Sequence, residues 1–84
     1  VKPGYEISIT DVAVGDRIWM DTHHAVFKRG YITYHDHIVT KISYYNHGGI
    51  HAFTLHRFDG VGLEEHVEAR RVILIRKYTL TGNR

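Results

Sequence analysis

The stretch from Tyr31 to Tyr45 alternates in character, and it constrains the fold more than any other part of the chain. One parity holds Ile32, Tyr34, Asp36, Ile38, Thr40, Ile42 and Tyr44, which is mostly apolar. The other holds Tyr31, Thr33, His35, His37, Val39, Lys41, Ser43 and Tyr45, which is mostly polar. A period of two belongs to a strand with one face on a core and the other in water, because successive side chains point to opposite sides. A helix would need a period near 3.6, so the centre of this chain is β. Strands rarely run beyond about ten residues. The reading therefore puts a bend or break at His35-Asp36-His37.

Turn chemistry divides the rest of the chain into further strands. Thr10 to Asp16 reads as a turn that launches Arg17–Met20, with Thr10 or Asp11 as its cap. Lys28-Arg29-Gly30 reads as a turn after Ala25-Val26-Phe27. Asn46-His47-Gly48-Gly49 is a hairpin turn, with Ile50–Phe58 as its return strand. Asp59-Gly60 with Gly62 marks another turn, and Val72–Tyr78 a last strand. Leu63–Arg71 fits two descriptions. As a strand ending in a 3-10 turn, Glu65, Val67 and Ala69 alternate with Glu64, His66 and Glu68. As a helix, Leu63 stacks on Val67 and Glu68 reaches Arg71. The expected core is Ile18, Ile32, Ile38, Ile42, Phe53, Leu55, Val67, Val72 and Leu74. Trp19, the single tryptophan, is expected in the core or lining a pocket.

Eighty-four residues make one domain, taken as 1–84 with loose ends at 1–5 and 81–84. A chain this short buries only about 60% of its unfolded surface, which leaves little room for a deep cleft beside a core. Cysteine is absent, which excludes disulfides, thiolate metal sites and thiol nucleophiles. That absence points to a reducing, cytoplasmic setting. No membrane span and no secretory leader are expected, since no apolar run is long enough for either. The formal charge of +2 is mildly basic. Eight histidines make the charge sensitive to mild acidity, because histidine ordinarily titrates near neutral pH.

Val14-Gly15-Asp16-Arg17-Ile18, two strands joined by a glycine turn, Arg57-Phe58-Asp59-Gly60, and a last strand after Arg70-Arg71 together resemble a small SH3-like barrel of the Tudor or KOW type. The resemblance covers Val14 to Ile75, and the segment Asp21–Tyr34 is longer than the pattern. It implies an all-β, partly open barrel of five to six strands and a binding role on nucleic acid, protein tails or polymerase-type assemblies. Gly30 through Lys41, with His35-x-His37, resembles a cupin metal motif up to Lys41, where that motif needs a carboxylate. The run from His24 to Tyr31 resembles papain-like folds, whose cysteine nucleophile is missing here.

No catalytic constellation stands out, so no enzyme activity, cofactor or metal is expected. Tyr31, His35, His37, Lys41 and Tyr45 share the polar parity. Aromatics interleaved with cations suit base stacking and phosphate contact; ordinary cross-strand pairing accounts for the same residues. Arg70 and Arg71 form a basic end, with Glu64, Glu65 and Glu68 near enough in sequence to neutralise it. The expected function is a non-enzymatic module that engages nucleic acid or a nucleic-acid-processing complex, of the kind frequent among accessory proteins of bacteria and their phages. Two alternatives remain open. One is a protein-binding adaptor or inhibitor that uses the tyrosine-rich face or a sheet edge. The other is a histidine-ligated metalloprotein, with His23, His24, His51 or Glu65 joining His35 and His37.

Overall fold

A computed structural model describes residues 4–24 and 30–78. It is all-β: six antiparallel strands form one sheet, and the described residues contain no helix beyond two 3-10 turns. The strands are β1 (Tyr5–Ile7), β2 (Arg17–His23), β3 (Tyr31–Tyr44), β4 (Ile50–Arg57), β5 (Glu65–Glu68) and β6 (Val72–Lys77). Their order across the sheet is β1-β6-β2-β3-β4-β5. Successive hairpins build β2 through β5, and β6 returns to pair with β2. Among the described residues no helix is long and apolar enough to cross a membrane.

The local devices follow from the residues. Ser8 caps the first 3-10 turn, Ile9–Asp11, by accepting from the Thr10 N–H at 3.2 Å, so the cap is neither Thr10 nor Asp11. The Val14-Gly15-Asp16 turn is locked to β3, with Gly15 N–H donating to the Val39 carbonyl and Val39 N–H to the Asp16 carbonyl. At the Asn46–Gly49 turn, Tyr45 N–H donates to the Gly49 carbonyl and Gly48 N–H to the Tyr45 carbonyl. Segment 63–71 holds β5 followed by a 3-10 turn at Ala69–Arg71, which answers the question left open between strand and helix. Tyr5, expected in a loose end, begins β1 and pairs with Lys77. The expected turn at Lys28-Arg29-Gly30 and strand at Ala25-Val26-Phe27 lie largely outside the described residues, as does the loose end 81–84.

One apolar cluster takes a residue or more from β2 through β6. It contains Val12, Ile18, Met20, Val39, Phe53, Leu55, Val67 and Ile75. Ile18, Phe53, Leu55 and Val67 were expected there, and Trp19 is also buried. Ile32, Ile38 and Leu74 are only half-buried, while Val39 and Ile75, each one residue further on, take the central places. On β3 the reason is a pair of irregularities. Asp36 turns the backbone into the left-handed region at φ 44°, and the β3–β4 register shifts again between Val39 and Lys41. Each irregularity inserts a residue and exchanges the two faces. The inward set thus passes from Ile32 and Tyr34 to His37 and Val39, then back to Ile42.

Candidate nucleic-acid interface

Asp36 sits where β3 changes face, and several interactions hold it there. Both carboxylate oxygens accept from Arg17, from Nε at 2.6 Å and from Nη2 at 2.8 Å. The Asp36 carbonyl accepts from the Phe58 N–H at 2.9 Å, tying the end of β4 to the bulge. The Arg17 guanidinium carbon lies 3.8 Å from the centre of the Phe58 ring and 4.5 Å from that of Tyr78. A cation over an aromatic face is attracted by the ring quadrupole. Hydrogen bonding to Asp36 raises the Arg17 pKa above its ordinary value. Burial pushes the Tyr78 phenol up as well, with the Asp36 charge adding to it.

The bulge opens a cleft of about 410 Å³ between β3 and the end of β4. Thr33, His35, Asp36 and His37 line one side, and Arg57, Phe58 and Asp59 the other. His35 and His37 both line this cleft, although the bulge between them puts them on different faces of the strand. His37 belongs to the parity expected in water, yet it is only 8% exposed and meets the Tyr34 ring edge-on at 5.4 Å. His35 stays exposed and accepts a hydrogen bond from the indole N–H of Trp19 at 3.2 Å. Arg57 pairs with Asp59 at 2.5 Å. The Val61 N–H donates to the other Asp59 oxygen, and that bond, more than the Arg57 charge, holds the Asp59 carboxyl below the usual range.

Tyr31, Lys41 and Tyr45 do not line this cleft. They lie on exposed stretches of the same strand and just beyond it. Tyr31 packs on its cross-strand partner His23, ring centres 5.5 Å apart. At the far hairpin Tyr45 stacks on His47 at 5.1 Å and leans on His51 at 4.7 Å. Lys41 is exposed and makes no ion pair with the described residues. The expected single face is thus three separate places: a histidine–tyrosine pair at one end of β3, the cleft at its bulge, and a ring cluster at the hairpin beyond Lys41.

The basic end is partly neutralised, two arginines sharing one carboxylate. Arg71 donates to Glu68 at 2.6 Å and Arg70 approaches the same oxygen at 3.5 Å. The Arg71 hydrogen bond is the main reason the Glu68 carboxyl sits below its ordinary range. Glu64 instead accepts from the Thr40 hydroxyl at 2.9 Å. Lys77 pairs with Asp16 at 3.2 Å, which raises the lysine's pKa. No group of three His, Cys, Asp or Glu side chains among the described residues is arranged to hold a metal ion.

Arg17, Phe58 and Trp19 build this region, yet none was expected to contact a partner. The bend expected at His35-Asp36-His37 is the bulge at Asp36, and Asp36 itself offered a further sign of it in the sequence. Aspartate is depleted in strands and tolerates the left-handed backbone, so an aspartate inside an alternating run marks a bulge. No protein-family model matches the chain, and neither a curated protein nor a solved structure matches it.

Proposed function

We propose that the chain is a non-enzymatic binding module that engages single-stranded nucleic acid, or a complex carrying it, along the bent strand β3. The observation that carries this reading is the ring cluster at the β3–β4 hairpin, exposed Tyr45 and His47 with half-buried His51, just beyond the strand that carries the exposed Lys41. Stacked rings at a hairpin offer flat faces to bases, and a lysine with no ion pair among the described residues is available to a phosphate. Glu68 engages Arg71 closely and leaves Arg70 largely exposed, so the basic end keeps one cation that can add to the contact on β3.

We further read the sheet as a partly open SH3-like barrel. The order β6-β2-β3-β4-β5, with a 3-10 turn between β5 and β6, supports this, as does one core shared by β2 through β6.

Substitution separates the parts of the reading. Tyr45→Ala is expected to weaken binding to a single-stranded oligonucleotide by about 1–3 kcal/mol, the usual worth of a base–ring stack. Lys41→Ala is expected to lower the salt slope by about 0.7, the share of one phosphate contact on a single strand. Unchanged affinity in both variants by fluorescence titration would remove β3 as the contact surface. A second reading has its own observation: Phe58, Val61 and Leu63 are exposed around the β4–β5 turn, Leu63 by 87%. An adaptor that docks a protein would use this apolar turn, and Leu63→Asp would then abolish binding while leaving oligonucleotide affinity unchanged.

A further inference from the structure

We infer that the cleft behind the β3 bulge is the seat of one nucleotide unit: His35 and His37 read the base edge, Phe58 carries its ring and Arg57 takes its phosphate. The inference rests on the nucleic-acid reading above and adds to it a place and a chemistry that the ring cluster at Tyr45 does not supply.

The hydrogen-bond network assigns the tautomers. The Trp19 indole nitrogen can only donate, so the His35 Nδ1 it contacts at 3.2 Å is an acceptor, and neutral His35 carries its proton on Nε2. A carbonyl oxygen can only accept, so the His37 Nδ1, 2.5 Å from the His35 carbonyl, bears a proton. Neutral His37 therefore keeps its lone pair on Nε2. When neutral, the two imidazoles flanking Asp36 thus carry opposite polarities at Nε2, one donor and one acceptor. A donor beside an acceptor is what the Watson–Crick edge of a base presents, and splayed-out single-stranded bases are read on that edge.

The remaining groups fit the rest of a nucleotide. Phe58 is 48% exposed, with the Arg17 guanidinium against its ring, so part of the ring is open for stacking. The two carboxylates in the cleft are already engaged: Asp36 takes both of its bonds from Arg17, and Asp59 is held by Arg57 and the Val61 N–H. The Arg57 side chain is 53% exposed and keeps guanidinium donors beyond the one given to Asp59. A volume of about 410 Å³ is within the usual range for small-ligand sites.

The test uses the whole chain, isotopically labelled, titrated by NMR with the four nucleoside monophosphates, inorganic phosphate, ribose 5-phosphate and a short single-stranded oligonucleotide. The expected result is amide shifts centred on residues 35–37 and 57–61 with at least one monophosphate and with the oligonucleotide. Phosphate and ribose 5-phosphate are expected to move only the neighbours of Arg57. Phe58→Leu, which keeps apolar volume but loses the flat face, is expected to weaken monophosphate binding about tenfold or more, and Phe58→Tyr to restore it. If phosphate alone reproduces the monophosphate shifts, the cleft is an anion site and the inference is overturned. If the oligonucleotide binds but moves only residues around Tyr31 and Tyr45, the cleft is wrong and the nucleic-acid reading survives. If monophosphates bind in the cleft and the oligonucleotide does not, the cleft takes a free nucleotide and the broader reading fails. The wild-type shift map decides among these outcomes even if a Phe58 variant does not fold.

Discussion

Asp36 combines a costly backbone with an ion pair, and replacing it with different residues separates the two. In the left-handed region an ordinary L-residue costs about 1–2 kcal/mol, asparagine and aspartate less, and glycine almost nothing. The Arg17 pair is bidentate, at 2.6 and 2.8 Å, with side chains 23% and 37% exposed. Partial exposure puts it above a free surface pair, worth up to about 1 kcal/mol, and below a buried charged hydrogen bond, worth up to about 3 kcal/mol. A coupling of about 1–2 kcal/mol follows. Asp36→Asn keeps the tolerated backbone and loses the charge, so it is expected to cost about 1–2 kcal/mol. Asp36→Ala loses the pair and adds backbone strain, for about 2–3 kcal/mol. Asp36→Gly loses the pair but relieves the strain, so it is expected to be more stable than Asp36→Ala by about 1 kcal/mol. Arg17→Met also removes the cation from Phe58 and Tyr78, each contact worth about 0.5–1 kcal/mol. Urea unfolding of these variants, with the double-mutant cycle of Asp36→Asn and Arg17→Met, measures each quantity. Equal stability of the alanine and glycine variants would refute the strained bulge, and zero coupling would refute the ion pair as its support.

Val39→Asp should unfold the domain or cost more than about 3 kcal/mol, because it buries a charge at a fully enclosed position; Lys41→Asp should stay within about 0.5 kcal/mol, and equal effects in thermal melts would contradict the face exchange on β3. Gly4→Ala should detach β1, since a Cβ there would sit 1.8 Å from the Lys77 carbonyl oxygen at φ 60°, and hydrogen exchange at residues 5–7 and 75–77 reports it. Stability should decline at both ends of the pH range. Asp59 and Glu68 have depressed pKa values, so their contribution is present above the ordinary carboxylate range and is lost as pH falls through their folded values, below about pH 4. Burial raises Tyr34, so its contribution is complete below about pH 10 and lost as pH rises through its folded value. Glu68→Gln should flatten the acid limb of a stability–pH curve and Tyr34→Phe the alkaline limb; curves that keep their shape would contradict these assignments.

The sequence carried the strand content because hydrophobic alternation and turn residues act locally. Tyr31–Tyr45, Asn46–Gly49 and Asp59-Gly60 are each read from neighbours in the chain. Parity, however, does not extend through a bulge. It put Ile38 inward and His37 outward, whereas the left-handed turn at Asp36 gives the central place to Val39 and encloses His37. The cleft was illegible for a related reason. Its walls come from β3 and the end of β4, and its chemistry depends on Trp19 meeting His35 and Arg17 meeting Asp36, contacts 16 and 19 residues apart in sequence. Such contacts follow from register, and two of the strand pairings that set it, β2–β3 and β3–β4, contain irregularities. The pairing of Arg70 and Arg71 with Glu68 was visible because it is local, two and three residues away.

Whether β3 presents a nucleic-acid-binding surface is decided by the affinity of the unmodified chain for a single-stranded oligonucleotide across a salt series. Phosphate contacts release counterions, so log affinity should fall linearly with log salt, at roughly 0.7 per contact on a single strand. Measurable binding is expected at low salt, with a shallow slope of about one to three contacts, since most of the described basic side chains are engaged within the fold. No detectable binding to single-stranded DNA or RNA at about 50 µM protein and low salt, well within the range of ordinary non-specific affinities, would contradict it.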